Sequence, residues 1–197
     1  MGGRQVTSKR QAIAAILDAA GSTPVICTTG YTSRIAQSLG HRPHNLYMTG
    51  SMGLAAAIGA GIASATGRPA IVVDGDGSVL MNTSVLCTVG SMPDLPLTHI
   101  VLDDGQYAST GGQPTYSERH DLAGIASAAG YRYVMSTSEP AELTATVARR
   151  TAGEAGPLFV HCRLSTSVED PGPRIAEALH EHAARFRRAV LGQPAAG

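Results

Sequence analysis

Two acidic turns carry the chemistry for which this chain is equipped. Gly75-Asp76-Gly77-Ser78 closes one apolar run, and Leu102-Asp103-Asp104-Gly105-Gln106 closes the next. The runs themselves, Ala70–Asp74 and Thr98–Leu102, are apolar and β-branched and read as fully buried strands. Asp76 and Asp104 stand 28 positions apart, the length of a strand–helix–strand crossover. Such a crossover is right-handed, so the strands are parallel and both turns reach the same carboxyl edge, where open α/β sheets bind ligands. Two carboxylates there, beside glycines that expose backbone N–H groups, suit a hard divalent cation bridging to a diphosphate. Gly-Asp-Gly also serves as an ordinary strand-end turn with Asp76 as a helix cap, and Asp103-Asp104-Gly105 as a solvated turn.

Three further segments bear on the same edge. Thr28-Thr29-Gly30 and Thr32-Ser33 end a strand and open a helix, a geometry that binds phosphate through amides and hydroxyls, although simple capping explains it too. Gly50-Ser51-Met52-Gly53 places a flexible thioether directly after a turn, where a core methionine is the plainer alternative. Tyr107–Tyr116 contains Gly111, Gly112 and Pro114 with hydrogen-bonding side chains at Gln113 and Thr115, and reads otherwise as a flexible surface loop. The histidines offer less. His41-x-x-His44 and His180-x-His182 lack the spacing and third ligand of a zinc site, and His120 precedes a helix as cap neighbour or proton donor. Gly59-Ala60-Gly61 lies inside a helix, which excludes a dinucleotide fingerprint. Arg34 suits either a substrate anion or a structural pairing.

The elements that must position these residues alternate along the whole chain. Helices are expected over Ser8–Ala20, through Ile35 to Gly40, over Met52–Thr66, Ser78–Gly90, Asp121–Ala129, Glu139–Arg150 and Ile175–Leu191. Strands are expected at Pro24–Thr28, Asn45–Met48, the two diagnostic runs, Tyr131–Met135 and Pro157–Leu164. This alternation predicts a parallel sheet covered on both faces. The small residues of Met52–Thr66 fit close packing against the sheet or a partner subunit. The 197 residues fit a single domain, with loose termini at 1–7 and 192–197. A formal net charge of zero and 15% charged residues argue against nucleic acid or an anionic membrane as partner. Fourteen of the fifteen basic residues are Arg and one is Lys9, a bias that reads as genome composition. Cys27, Cys87 and Cys162 are scattered in apolar segments and read as buried structural thiols. No stretch approaches the roughly 20 apolar residues of a membrane span, and the polar start is unlike a secretory signal, so a cytoplasmic protein is expected.

Together the motifs resemble the cofactor signature of thiamine-diphosphate enzymes, a GDG-type turn followed one crossover later by an Asn-Asn-type turn. The Tyr107–Tyr116 loop is similar to that of sulfopyruvate and phosphonopyruvate decarboxylases. The resemblance spans residues 24–135 with its elements in order. It implies a three-layer sandwich whose central, mostly parallel sheet has about six strands. It also implies thiamine diphosphate and Mg²⁺ as cofactors, with Asp76, Asp104 and the Gln106 backbone carbonyl as metal ligands. Gly75, Gly77 and Ser78 then face a phosphate, and Thr29 and Gly30 the far side of the diphosphate. The Gly50 carbonyl accepts from the cofactor's amino group, Met52 props its bent form, and Ser51, Tyr107, Ala108 and Ser109 complete the set. Gly112, Gln113 and Thr115 fall where the substrate's second anionic group would lie. Asp104 departs from the Asn usual in the family. Two carboxylates with two phosphate oxygens leave Mg²⁺ overcharged unless an Arg or a backbone dipole compensates.

In the family, the glutamate that activates the cofactor lies on a second domain of similar fold, and this sequence shows no segment for one. The resemblance therefore implies the diphosphate-binding, β-type half of a split 2-oxo acid decarboxylase for a 3-sulfo- or 3-phosphonopyruvate-like substrate. Its partner would be a separate pyrimidine-binding, α-type subunit in a hetero-oligomer such as a heterotetramer. Two alternatives stand beside it: half of a thiamine-dependent carboligase, and a non-catalytic cofactor-binding or regulatory subunit.

Overall fold

The computed structural model describes residues 7–166 and 169–192. The first helix, α1 (Lys9–Ala19), starts at a capping box in which Ser8 and Gln11 each bond the other's backbone N–H through their side chains. The other helices are α2 (Tyr31–Ser38), α3 (Ala55–Thr66), α4 (Asp76–Met81), α5 (Ser84–Gly90), α6 (Leu122–Ala128), α7 (Pro140–Thr151) and α8 (Leu179–Leu191). The strands are β1 (Val25–Cys27), β2 (Asn45–Tyr47), β3 (Ala70–Gly75), β4 (Leu97–Asp103), β5 (Gln106–Tyr107), β6 (Gln113–Pro114), β7 (Tyr133–Thr137) and β8 (Leu158–Arg163). Six of them form one parallel sheet in the order β2-β1-β3-β4-β8-β7, while β5 and β6 pair as a short antiparallel hairpin.

Successive residues of each strand alternate between the two faces. Ile71, Val73, Ile100, Leu102 and Val160 meet α1, α2 and α7 on one side. Ile26, Val72, Val101 and Phe159 meet α3, α5 and α6 on the other. Each fully buried aliphatic side chain stabilises the fold by about 1.5–3 kcal/mol, which makes this aliphatic core the main source of stability. The expected three-layer architecture with six parallel strands is what forms. Gly59 shows why α3 is built from small residues: a Cβ there would lie 2.2 Å from Val72 Cγ2, so the helix sits almost on the sheet.

The chain passes from β1 outward to β2 and then back across to β3, so the sheet changes direction between β1 and β3. Ligand crevices in open α/β sheets form outside such a switch. Gly75 is in register with Leu102, so the two acidic turns leave the sheet at one level. A buried relay fixes the approach to the first turn. Tyr131 Oη lies 3.0 Å from His99 Nδ1, His99 Nε2 lies 3.3 Å from Asp74 Oδ2, and Asp74 Oδ1 accepts from the Gly75 amide.

Several expectations need correction. The helix expected over Ser78–Gly90 is two helices, because Asn82 leaves helical geometry and its side chain donates to the Gly53 carbonyl at 2.9 Å. The last helix begins at Leu179 rather than Ile175, since the backbone is still extended at Ala178, with φ −61° and ψ 134°. Thr7 is not loose: it is 1% exposed, and its carbonyl accepts from the Ser165 amide. Gly192 caps α8 in a left-handed conformation, and the rest of both expected loose ends falls outside the described residues. Cys87 is exposed, because it lies on the face of α5 turned away from the sheet, whereas Cys27 and Cys162 are buried. Burial pushes both of those thiols up to about 12, which leaves them inert. No helix among the described residues is long and apolar enough to cross a membrane.

Candidate active site

A narrow cleft opens at the switch point, and the ends of β1 and β3 build it. The Thr28 amide extends the ladder by donating to Val73 O, and its Oγ1 lies 3.1 Å from Ser78 Oγ. Ser78 Oγ also accepts from the Gly53 amide at 3.1 Å. Gly53 has φ +88°, and a Cβ there would stand 3.0 Å from Asn82 Cβ, so only glycine fits the turn. Ser78 and Asn82 together clamp this turn and hold the half-buried Met52 at the wall of the cleft. Across it, Gly77 lies under the ring of Tyr107, whose Cε1 would be 2.3 Å from an added Cβ. Gly77→Ala is therefore expected to displace that ring and to lower stability by about 1–3 kcal/mol, an overpacking cost that thermal unfolding would register.

Acidic groups gather at the floor. Asp76 is 2% exposed and Asp104 6%. Thr115 Oγ1 donates to Asp76 Oδ2, and Lys9 Nζ stands 2.7 Å from Asp104 Oδ2. Asp76 is pushed up to about 6, chiefly by burial; the Thr115 hydrogen bond opposes this, and the charges of Asp103 and Asp104 add to it. Burial would raise neighbouring Asp103 as well, but hydrogen bonds from His161 Nε2 at 2.7 Å and Ser117 Oγ at 2.7 Å outweigh it and hold that carboxyl below the usual range. Two buried atoms have no hydrogen-bond partner here, Asp104 Oδ1 and Gln106 Nε2. A buried carboxylate oxygen without a donor is costly unless a cation completes it. The residues present therefore fit a hard divalent ion, to which Asp76 and Asp104 Oδ1 would offer oxygens.

Of the residues singled out from the sequence, Thr29, Met52, Gly75, Asp76, Gly77, Ser78, Gln106, Tyr107, Ala108 and Ser109 line this one cleft. Gly30 lies beside it, with Ser109 Oγ 3.0 Å from where its Cβ would be. Asp104 sits just behind, covered by Lys9. Gly50 and Ser51 form the exposed turn before Met52, with Ser51 at φ +57°. The loop assignment changes. Thr115 is 7% exposed and committed to Asp76, so it serves the acidic floor rather than a substrate. Gln113 and Gly112 are exposed, and Gln113 exchanges hydrogen bonds with Thr110. Arg34 makes a structural pairing with the carbonyls of Gly172 and Pro173. Lys9 was missed: the lone lysine is the countercharge expected from an Arg or a dipole, and composition hides it. Its position directly after the Ser8 cap is the one signal that ties it to a defined place.

Comparison with known proteins identifies the family. Residues 25–162 match the family described as thiamine pyrophosphate enzyme, C-terminal TPP binding domain. The chain belongs to that family. It is 43% identical over 173 residues to the phosphonopyruvate decarboxylase of Streptomyces viridochromogenes, covering 87% of this chain and 43% of that protein. It is 34% identical over 168 residues to the sulfopyruvate decarboxylase subunit beta of Methanothermobacter thermautotrophicus, covering 85% of this chain and 87% of that subunit. The chain thus spans less than half the length of the Streptomyces relative. Among solved structures, the thiamine diphosphate-dependent 4-hydroxybenzoylformate decarboxylase of Rhodococcus jostii RHA1 shares the fold, with a TM-score of 0.65 at 16% identity over 85% of this chain and 34% of that one.

Proposed function

We propose that this chain is the diphosphate-binding, β-type subunit of a split thiamine-diphosphate-dependent decarboxylase acting on a 3-sulfo- or 3-phosphonopyruvate-like 2-oxo acid. The observation that carries this reading is that Asp76 and Gln106 line one switch-point cleft, with Asp104 directly behind them under Lys9 and one of its buried carboxylate oxygens unsatisfied. The two decarboxylase relatives and the match along most of a beta subunit support it. Asp76, Asp104 and the Gln106 carbonyl would hold Mg²⁺, and Thr29, Gly30, Gly77 and Ser78 the diphosphate. Gly50 and Met52 would position the ring system. Bound thiamine diphosphate supplies the electron sink for loss of carbon dioxide. The protein contributes charge, placement and exclusion of water, and the partner subunit contributes the activating glutamate across a shared interface. Free thiols accord with a reducing, cytoplasmic setting.

Asp104 in place of the family's Asn is the one observation that favours a non-catalytic subunit. Lys9 answers it, because a lysine–aspartate pair carries the same net charge as an asparagine. The test is an affinity pull-down of this chain from its native extract with thiamine diphosphate and Mg²⁺ present. The expected result is a co-purifying chain of about one domain, with decarboxylation of sulfopyruvate or phosphonopyruvate by the complex and none by either chain alone. A chain that only self-associates, and turns over neither acid, would make the non-catalytic subunit the better reading.

A further inference from the structure

The loop residues expected to meet the substrate's second anion are occupied elsewhere, Thr115 on Asp76 and Gln113 on Thr110. A different part of the structure offers that function. A second cavity of about 280 Å³ adjoins the cofactor cleft, sharing Thr29 and Ser109 with it, and is lined by Arg34, Arg174 and Thr49. Arg34 rises from the first turn of α2. Its Nε donates to Gly172 O at 3.0 Å, so it clamps the Pro171-Gly172-Pro173 segment across α2. Gly172 has φ +80°, and a Cβ there would approach Ser38 Cβ to 3.0 Å, so the segment lies close on the helix. That clamp delivers Arg174 to the cavity mouth. Arg174 makes no hydrogen bond or ion pair with the described residues, and Arg34 meets no carboxylate there. Arg34 and Arg174 therefore line one cavity with three hydroxyls and no acidic side chain, over an apolar wall of Met48 and Ile175. Nε and Nη2 of Arg34 are taken up by the Gly172 and Pro173 carbonyls, which leaves its Nη1 and the whole Arg174 guanidinium for an anion.

Like charges held together without a counterion favour a bound anion. Guanidinium forks and hydroxyls approaching from several sides match a tetrahedral group with three oxygens. We propose that Arg34 and Arg174 form the subsite for the sulfonate or phosphonate end of the substrate, with the cofactor cleft holding its reacting end. This rests on the decarboxylase reading above. The same chemistry could instead serve the cofactor's diphosphate, and the test separates the two sources.

The complex of this chain with its co-purifying partner, loaded with thiamine diphosphate and Mg²⁺, is titrated calorimetrically with 3-sulfopropanoate, 3-phosphonopropanoate and propanoate, with this chain as wild type, Arg174→Gln and Arg174→Lys. Arg174 is exposed and supports no other residue, so its variants keep the fold. Both tetrahedral anions are expected to bind the wild type and propanoate to bind far more weakly. Arg174→Gln should weaken the two anions by about 10- to 100-fold, the size of a lost charged hydrogen bond, with cofactor affinity unchanged. Arg174→Lys should fall between, since it keeps charge and loses the fork. Equal anion binding by wild type and Arg174→Gln overturns the subsite, as does absence of anion binding by the loaded wild type. A parallel loss of cofactor affinity assigns the arginines to the diphosphate and overturns it too. If the complex takes up no thiamine diphosphate at all, the decarboxylase reading fails and this inference with it.

Discussion

Asp76→Ala is expected to abolish Mg²⁺-dependent binding of thiamine diphosphate to this chain, with an affinity loss of at least about 100-fold, more than an outer-shell metal partner contributes. Asp76 opens α4 at the switch point, is 2% exposed, and is oriented by Thr115 Oγ1. No other described carboxylate can replace it, because Asp103 is committed to His161 and Ser117 and Asp104 already faces Lys9. The same residue sets a pH dependence. Its carboxyl titrates near about 6 in the cation-free chain, above the ordinary 3.8. A cation needs the carboxylate, so below about pH 6 each further unit of acidity should cost about tenfold in Mg²⁺ affinity. The stability effect has the opposite sign. Because the folded value is raised, protonated Asp76 favours the cation-free fold below 3.8, and that contribution is lost as pH rises through about 6. Mg²⁺ should therefore stabilise the chain more at pH 7.5 than at pH 5.5, and thermal unfolding at both pH values checks it. Unchanged cofactor binding in Asp76→Ala would remove the metal site from this cleft.

The second large effect concerns Lys9. Its ammonium is the charge that lets a second carboxylate lie behind Asp76, with side-chain exposures of 14% and 6% in the pair. Removing one partner of a buried ion pair strands the other charge, so Lys9→Met should destabilise the cation-free chain by about 3 kcal/mol. Adding Asp104→Asn removes the stranded charge and should restore most of that loss, which makes the pair a double-mutant cycle. Denaturant unfolding of the four forms measures it. Mg²⁺ should rescue Lys9→Met more strongly than wild type, since the ion then supplies the only positive charge at the floor. If Lys9→Met unfolds like wild type, Lys9 is a surface lysine and the overcharge at Asp104 needs another answer.

Much of this was legible along the chain because it is local. The β-branched runs before Gly75 and Gly105 mark buried strands, and their crossover spacing places Asp76 and Asp104 at one edge whatever the rest of the chain does. The Ser8 cap, the compact α3 and the switch-point glycines follow from single residues whose backbone geometry or volume leaves few alternatives. Those local signals determined the fold class, the family and most of the cleft. What they could not show was pairing between distant segments. Lys9 and Asp104 are 95 positions apart, Asp76 and Thr115 39, and Arg34 and Gly172 138. Each contact depends on how helices seat against the sheet, and side-chain chemistry alone permits many partners for a lysine, a threonine or an arginine. Only the folded chain decided that the lone lysine pairs with the Asp104 carboxylate, that the loop threonine serves the acidic floor, and that two arginines share a cavity beside it. The physical reason is that a sequence pattern encodes which face a residue occupies, while the energy of a buried charge depends on what packing brings within a few ångströms of it.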